Sequence, residues 1–193
     1  MDKRYLQSLY LTDKLSVTEI SNMLNCSANR VNYWLKKHSI QKRTISEAVY
    51  IKHNPNGDPF KVSEIRTIEH AELLGYGLGL YWGEGTKANK YSVRLGNSDP
   101  KLILKFMEFL EVLFGIDRTD FKFGLQIFND TDPSVALNYW VKELDIMPDR
   151  FYKMHITPST KPGTYKKKNY YGVATIYYHN KKLRDIIVGL LPR

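Results

Sequence analysis

Leu73-Leu74-Gly75-Tyr76-Gly77-Leu78-Gly79-Leu80-Tyr81-Trp82-Gly83-Glu84-Gly85 is the stretch on which the fold of this chain turns. Five of the chain's 12 glycines fall here, interleaved with Leu, Tyr and Trp, a mixture unsuited to a loop. As a helix it makes sense, because Gly75, Gly79 and Gly83 then share one stripe at i, i+4 and i+8. Each interior glycine costs about 1 kcal/mol relative to alanine. That cost is tolerated where a second backbone must come close, and small residues four apart permit the approach. The stripe predicts a helix–helix seam whose partner is the equivalent helix of a second subunit. Glu84 ends the seam at the helix C-terminus, where the dipole is negative and a carboxylate calls for a cation. Lys87, three residues on, is one candidate; Mg²⁺, which favours hard oxygen ligands, is the other. Two helices packed about a two-fold axis would bring their Glu84 side chains together.

Downstream of the stretch, strand-like and helical runs alternate. Tyr91 to Leu95 alternates as a strand, and Asp99-Pro100 opens a helix with Asp99 as cap and Pro100 in the first turn. That helix carries Leu102, Ile103, Phe106, Met107, Leu110 and Leu113 and ends at Gly115. Phe121 to Phe128 is a second strand, Pro133 to Leu144 a helix, Tyr170 to Tyr178 another strand, and a closing helix starts at Asn180. Alternation directs Val93, Leu95, Phe121, Phe123, Leu125 and Ile127 toward the helices. It leaves Ser92, Arg94, Lys122 and Gln126 on the other face.

Gly79-Leu80-Tyr81-Trp82-Gly83-Glu84-Gly85 resembles the G-L-I-D-A-D-G part of the LAGLIDADG motif of homing endonucleases, single-motif type, with Trp82 in place of the motif's first Asp. The resemblance implies an αββαββα domain with a saddle-shaped antiparallel sheet over residues 67–193. Its first strand would be squeezed in near Thr86-Lys87, and the helix from Pro133 would be an insertion. In that family the motif helix forms the subunit interface and its last acid binds the catalytic metal. The resemblance therefore gives Glu84 a metal-ligand role, Lys87 a polar active-site role, and Asn97 a place near the reactive phosphate. The sheet's open face would then ride on double-stranded DNA through Ser92, Arg94, Lys122 and Gln126.

Asn54-Pro55-Asn56-Gly57-Asp58-Pro59 is a cluster of turn formers, read as the start of a linker over 54–66. Before it, residues 1–53 read as three helical stretches: Lys3 to Thr12, one from Ser16 with a Ser16/Glu19 capping box, and one from Ser27. Two short amphipathic helices split by the Asn25-Cys26 turn resemble a helix-turn-helix over Leu9 to Arg43. The fold class is thus α+β, with a three-helix helix-turn-helix module ahead of the larger domain. Off the Val31/Trp34/Leu35 stripe lie Asn29, Arg30, Asn32, Tyr33, Lys36 and Lys37, with Ser27 before them and Lys42 and Arg43 after. Asn and Arg can read base edges, and Lys holds phosphates. The plain alternative is a solvated basic helix in a protein-interaction module.

Lys and Arg total 29 against 20 Asp and Glu, a net charge of +9 that draws polyanions. From Lys153 to Arg184 there are eight basic residues and no acidic one, with Lys166-Lys167-Lys168 as a further phosphate-binding candidate. No apolar run approaches the roughly 20 residues of a membrane span, and the opening MDKRYLQ lacks a signal-peptide pattern. The single cysteine, Cys26, suits a reducing cytoplasm, so a DNA-associated prokaryotic or phage protein is expected. Two functions stay open: a Mg²⁺-dependent homodimeric DNA endonuclease, and a DNA-binding regulator on the same fold that does not cut.

Overall fold

The computed structural model describes residues 1–158 and 169–192, so Lys166, Lys167 and Lys168 lie outside the described residues. The chain is mixed α+β and divides into two compact units, Met1–Pro59 and Phe60–Arg193.

In the first unit, α1 (Lys3–Gln7) runs into a π-helical turn, Ser8–Thr12, and is followed by α2 (Val17–Met23) and α3 (Ala28–Lys37). The start of α2 is set by a reciprocal capping box: the Glu19 amide donates to Ser16 Oγ (3.1 Å) and the Ser16 amide to Glu19 Oε2 (2.7 Å). Asn25, at φ 45°, makes the left-handed turn before Ser27 caps α3 by accepting from the Arg30 amide. Leu6, Leu9, Tyr10, Ile20, Val31, Leu35 and Ile40 form the core of this unit. A fourth helix, α4 (Ile45–His53), stands outside the three sequence-predicted stretches and buries none of its residues. A second capping box, Thr44 with Glu47, starts it.

The second unit contains α5 (Ile68–Glu84), β1 (Val93–Asn97), α6 (Pro100–Phe114), β2 (Lys122–Phe128), α7 (Pro133–Leu144), β3 (His155–Thr157), β4 (Val173–Tyr178) and α8 (Lys181–Gly189). The glycine-rich stretch is thus helical. α6 begins at the Asp99 cap with Pro100 and stops at Gly115, whose φ of 59° suits a residue without Cβ. The strands form one sheet in the order β1-β4-β2-β3. The antiparallel sheet expected from the sequence needs correction: β1/β4 and β2/β4 are antiparallel, but β2/β3 is parallel. The reason is connectivity. α7 and the turn after it intervene between β2 and β3, a crossover long enough to return the chain in the same direction. The short strand expected near Thr86-Lys87 is a single bridge, Gly85 with Leu95, supported by the Thr86 amide donating to the Arg94 carbonyl (2.9 Å).

One face of the sheet packs on the helices. Val93, Leu95, Phe121, Phe123, Leu125 and Ile127 are all buried there, as alternation predicts. α5 meets this core through Leu73, Gly77 and Tyr81, spaced i, i+4 and i+8. Gly77 is the close approach: a Cβ built on it would lie 2.1 Å from the Phe109 ring of α6. The bare backbone that α5 buries within its own subunit is therefore at Gly77.

Candidate functional site

The opposite face of α5 is open. A Cβ added at Gly75, Gly79 or Gly83 would meet nothing within 4 Å. Glu72, Gly75, Tyr76, Gly79 and Leu80 line a shallow groove of about 570 Å³ along it. Ile68, Tyr76 and Trp82 beside it are exposed by 75%, 60% and 57%, an unusual amount of apolar surface for one helix. Glu84 is the last residue of α5, with its side chain in solvent.

Lys87 is exposed but committed: its ammonium donates to the Trp82 carbonyl, where it offsets the negative end of α5. Asn97 lies two positions along β1 from Leu95, the residue bridged to Gly85. Its amide oxygen accepts from the Asp99 amide (2.9 Å), which shapes the entry into α6. Among the described residues, no three His, Cys, Asp or Glu side chains gather where an ion could be held. Glu84 supplies one carboxylate, so a divalent cation here would take its remaining ligands from other oxygens such as water, carbonyls or a phosphate.

The open face of the sheet is polar and aromatic. Register places Arg94, Tyr177 and Lys122 in one row across β1, β4 and β2, and Gly96, Thr175 and Gly124 in the next. Val173, Gln126 and His155 form a third row. Arg94 lies 5.1 Å from the Tyr177 ring centroid, and the same ring overhangs Gly124. Gln126 donates through Nε2 to Thr157 Oγ1 (3.1 Å). At the end of this face the Tyr152 hydroxyl and His179 Nε2 are 2.7 Å apart, and His179 stacks on Tyr177. Burial first, and the Arg94 charge second, hold the His179 imidazole below its usual pKa.

Ser92 does not belong to this face, contrary to the sequence reading. It precedes β1 and is fully buried; its hydroxyl donates to Asn89 Oδ1 (3.0 Å) and accepts from Arg94 Nε (2.7 Å). The turn held by Asn89 breaks the alternation there, and Ser92 instead aims Arg94. His155, Thr157, Thr175, Tyr177, Tyr152 and His179 are the face residues that sequence reasoning missed. For Thr175 and Tyr177 the signal was present, in a strand whose facing was left unassigned; for His155 and Thr157 there was none, since a three-residue strand has no readable period.

In the first unit, Ser27, Asn29, Arg30, Tyr33, Lys36 and Lys37 of α3 and its cap are exposed, as is Lys42. Lys37 Nζ sits 4.8 Å from the Trp34 ring centroid and 5.8 Å from that of Tyr33. Asn32 is half-buried, and its amide oxygen is enclosed without a partner. Arg43 is half-buried. Its guanidinium donates to the carbonyls of Lys14 (2.7 Å) and Leu15 and lies 4.2 Å from the Tyr10 ring centroid. Lys14 sits at φ 56°, and Arg43 stitches this strained turn to the end of the module, so its charge serves the fold.

Comparison with known proteins finds no matching family model, no matching curated protein and no matching solved structure.

Proposed function

We propose that this chain is a sequence-specific DNA-binding protein of the LAGLIDADG homing-endonuclease type, carrying a helix-turn-helix and acting as a Mg²⁺-dependent homodimeric nuclease. The observation that carries the reading is the open glycine stripe of α5, ending in the exposed Glu84. Packing that stripe against its copy would bring two helix C-termini together, each carrying a Glu84. Glu84 and the same residue of the second subunit would hold Mg²⁺, whose chemistry is to acidify a bound water and to offset charge on the leaving 3′ oxygen. Lys87 adds positive charge beside the scissile phosphate, and Asn97 stands on the strand bridged to Gly85. Arg94, Lys122 and Gln126 would contact duplex DNA from the sheet, and Asn29, Arg30 and Lys36 from α3. The expected setting is the prokaryotic or phage cytoplasm, on DNA.

The second reading, a regulator that binds without cutting, is favoured by one observation. The Lys87 ammonium is engaged by the Trp82 carbonyl. One experiment separates them. Parent and Glu84→Gln are incubated with Mg²⁺ and a supercoiled plasmid library of random sites. Nicking by the parent alone, with equal binding by both, supports the nuclease; tight, salt-sensitive binding with no nicking by either supports the regulator. For the dimer, Gly79→Leu is expected to sediment as a monomer, and a mass equal to the parent's removes the seam.

A further inference from the structure

Arg184 lies in the first turn of α8 with its side chain only 13% exposed. Nη2 donates to the Lys87 carbonyl (2.6 Å) and Nη1 to Asp185 (3.0 Å), while Nε is buried without a partner. The Tyr81 hydroxyl is buried beside it and interacts with the same guanidinium. Burial raises the pKa of that phenol, and the neighbouring guanidinium tempers the rise.

What Arg184 holds is the turn that follows Glu84. The Gly85 amide donates to the Tyr81 carbonyl (2.9 Å), the Thr86 amide to Arg94, and the Lys87 ammonium to Trp82. These three tethers run back to α5 or across to β1. The fourth, from Arg184, is the only one among these that ties the turn to α8. Gly85 has no room for a side chain, since a Cβ there would strike the Tyr81 carbonyl and ring.

We infer that Arg184 is a positioning residue: anchored beside Tyr81, it fixes the Glu84–Lys87 turn through the Lys87 carbonyl and so sets the orientation of the Glu84 carboxylate. The inference rests on reading Glu84 as the acting acid, and its test has one arm independent of that reading. Amide exchange at Gly85 and Thr86 is measured in the parent, Arg184→Met and Arg184→Lys, beside duplex affinity and nicking. Arg184→Met is expected to speed exchange at both amides and to lower the nicking kcat about tenfold or more, with KM and duplex affinity within about twofold. Arg184→Lys, retaining one donor, is expected to recover part of both losses. Unchanged exchange in the folded methionine variant overturns the inference, as does unchanged kcat where the parent nicks. If the parent does not nick, the nuclease reading fails and exchange alone decides whether Arg184 positions the turn. If the methionine variant does not fold, exchange in Arg184→Lys decides it.

Discussion

A single methyl group separates the two faces of α5. At Gly77 the added carbon would sit 2.1 Å from two ring carbons of Phe109 and 2.6 Å from a third. Phe109 cannot swing away easily, because it is fully buried with Phe106 and Phe114 at centroid distances of 5.5 and 5.3 Å. Overpacking a filled core costs about 1–3 kcal/mol, and a contact this short falls at the upper end. Alanine's better helix propensity offsets about 1 kcal/mol, leaving Gly77→Ala less stable by about 2 kcal/mol. At Gly79 the same methyl meets nothing within 4 Å, so the isolated subunit keeps the gain of about 1 kcal/mol. Urea denaturation at low protein concentration reads the contrast: the midpoint falls for Gly77→Ala and rises for Gly79→Ala, with the slope unchanged. If the proposed dimer forms through this stripe, Gly79→Ala is expected to weaken self-association at high concentration, because the methyl would stand in the seam. Equal stability of Gly77→Ala and parent, or equal damage by both substitutions, would refute the assignment of the two faces.

Two further outcomes concern charge. Arg43→Ala is expected to destabilise the first unit by about 2–3 kcal/mol, through lost charged hydrogen bonds and ring contact, whereas exposed Lys42→Ala leaves its melting unchanged; equal melting of the two variants would return Arg43 to the DNA-contacting set. His179 has its pKa held below the ordinary 6.5 by burial and then by Arg94, so the folded chain binds fewer protons than the unfolded one. Stability is thus complete above that value and erodes as pH falls beneath it. Thermal midpoints of the parent between about pH 7.5 and 5 should fall more steeply than those of His179→Gln, and parallel curves would remove the effect.

Much of the fold was legible because local chemistry and global packing agree. The Ser16, Ser27 and Asp99 caps, the stop at Gly115 and the alternation of β2 each follow from side chains acting on their own backbone. What escaped depends on distant partners. α4 has a capping box but no buried face, so its apolar residues carry no pattern. β3 owes its existence to the edge of β2 rather than to its own sequence. Ser92 and Arg43 look like exposed polar groups by type, and only the positions of Asn89, Arg94, Lys14 and Leu15 make them structural.

The glycine helix shows how a correct stripe can still leave its partner open. Periodicity groups Gly75, Gly79 and Gly83, but equally groups Leu73, Gly77 and Tyr81, and residues two apart point to nearly opposite sides of a helix. The subunit's own core takes the second group. The first is left facing outward, where a glycine gains nothing from packing and still lowers helix stability. Gly75 and Gly79 together weaken α5 by about 2 kcal/mol, a sizeable part of the roughly 5–15 kcal/mol that holds a domain folded. In the lone subunit nothing compensates this loss, since no neighbouring atom uses the space where a side chain would stand. A second backbone lying along the groove would use it, and that is the physical ground for proposing another copy of α5 there, with Glu84 at the end of the contact.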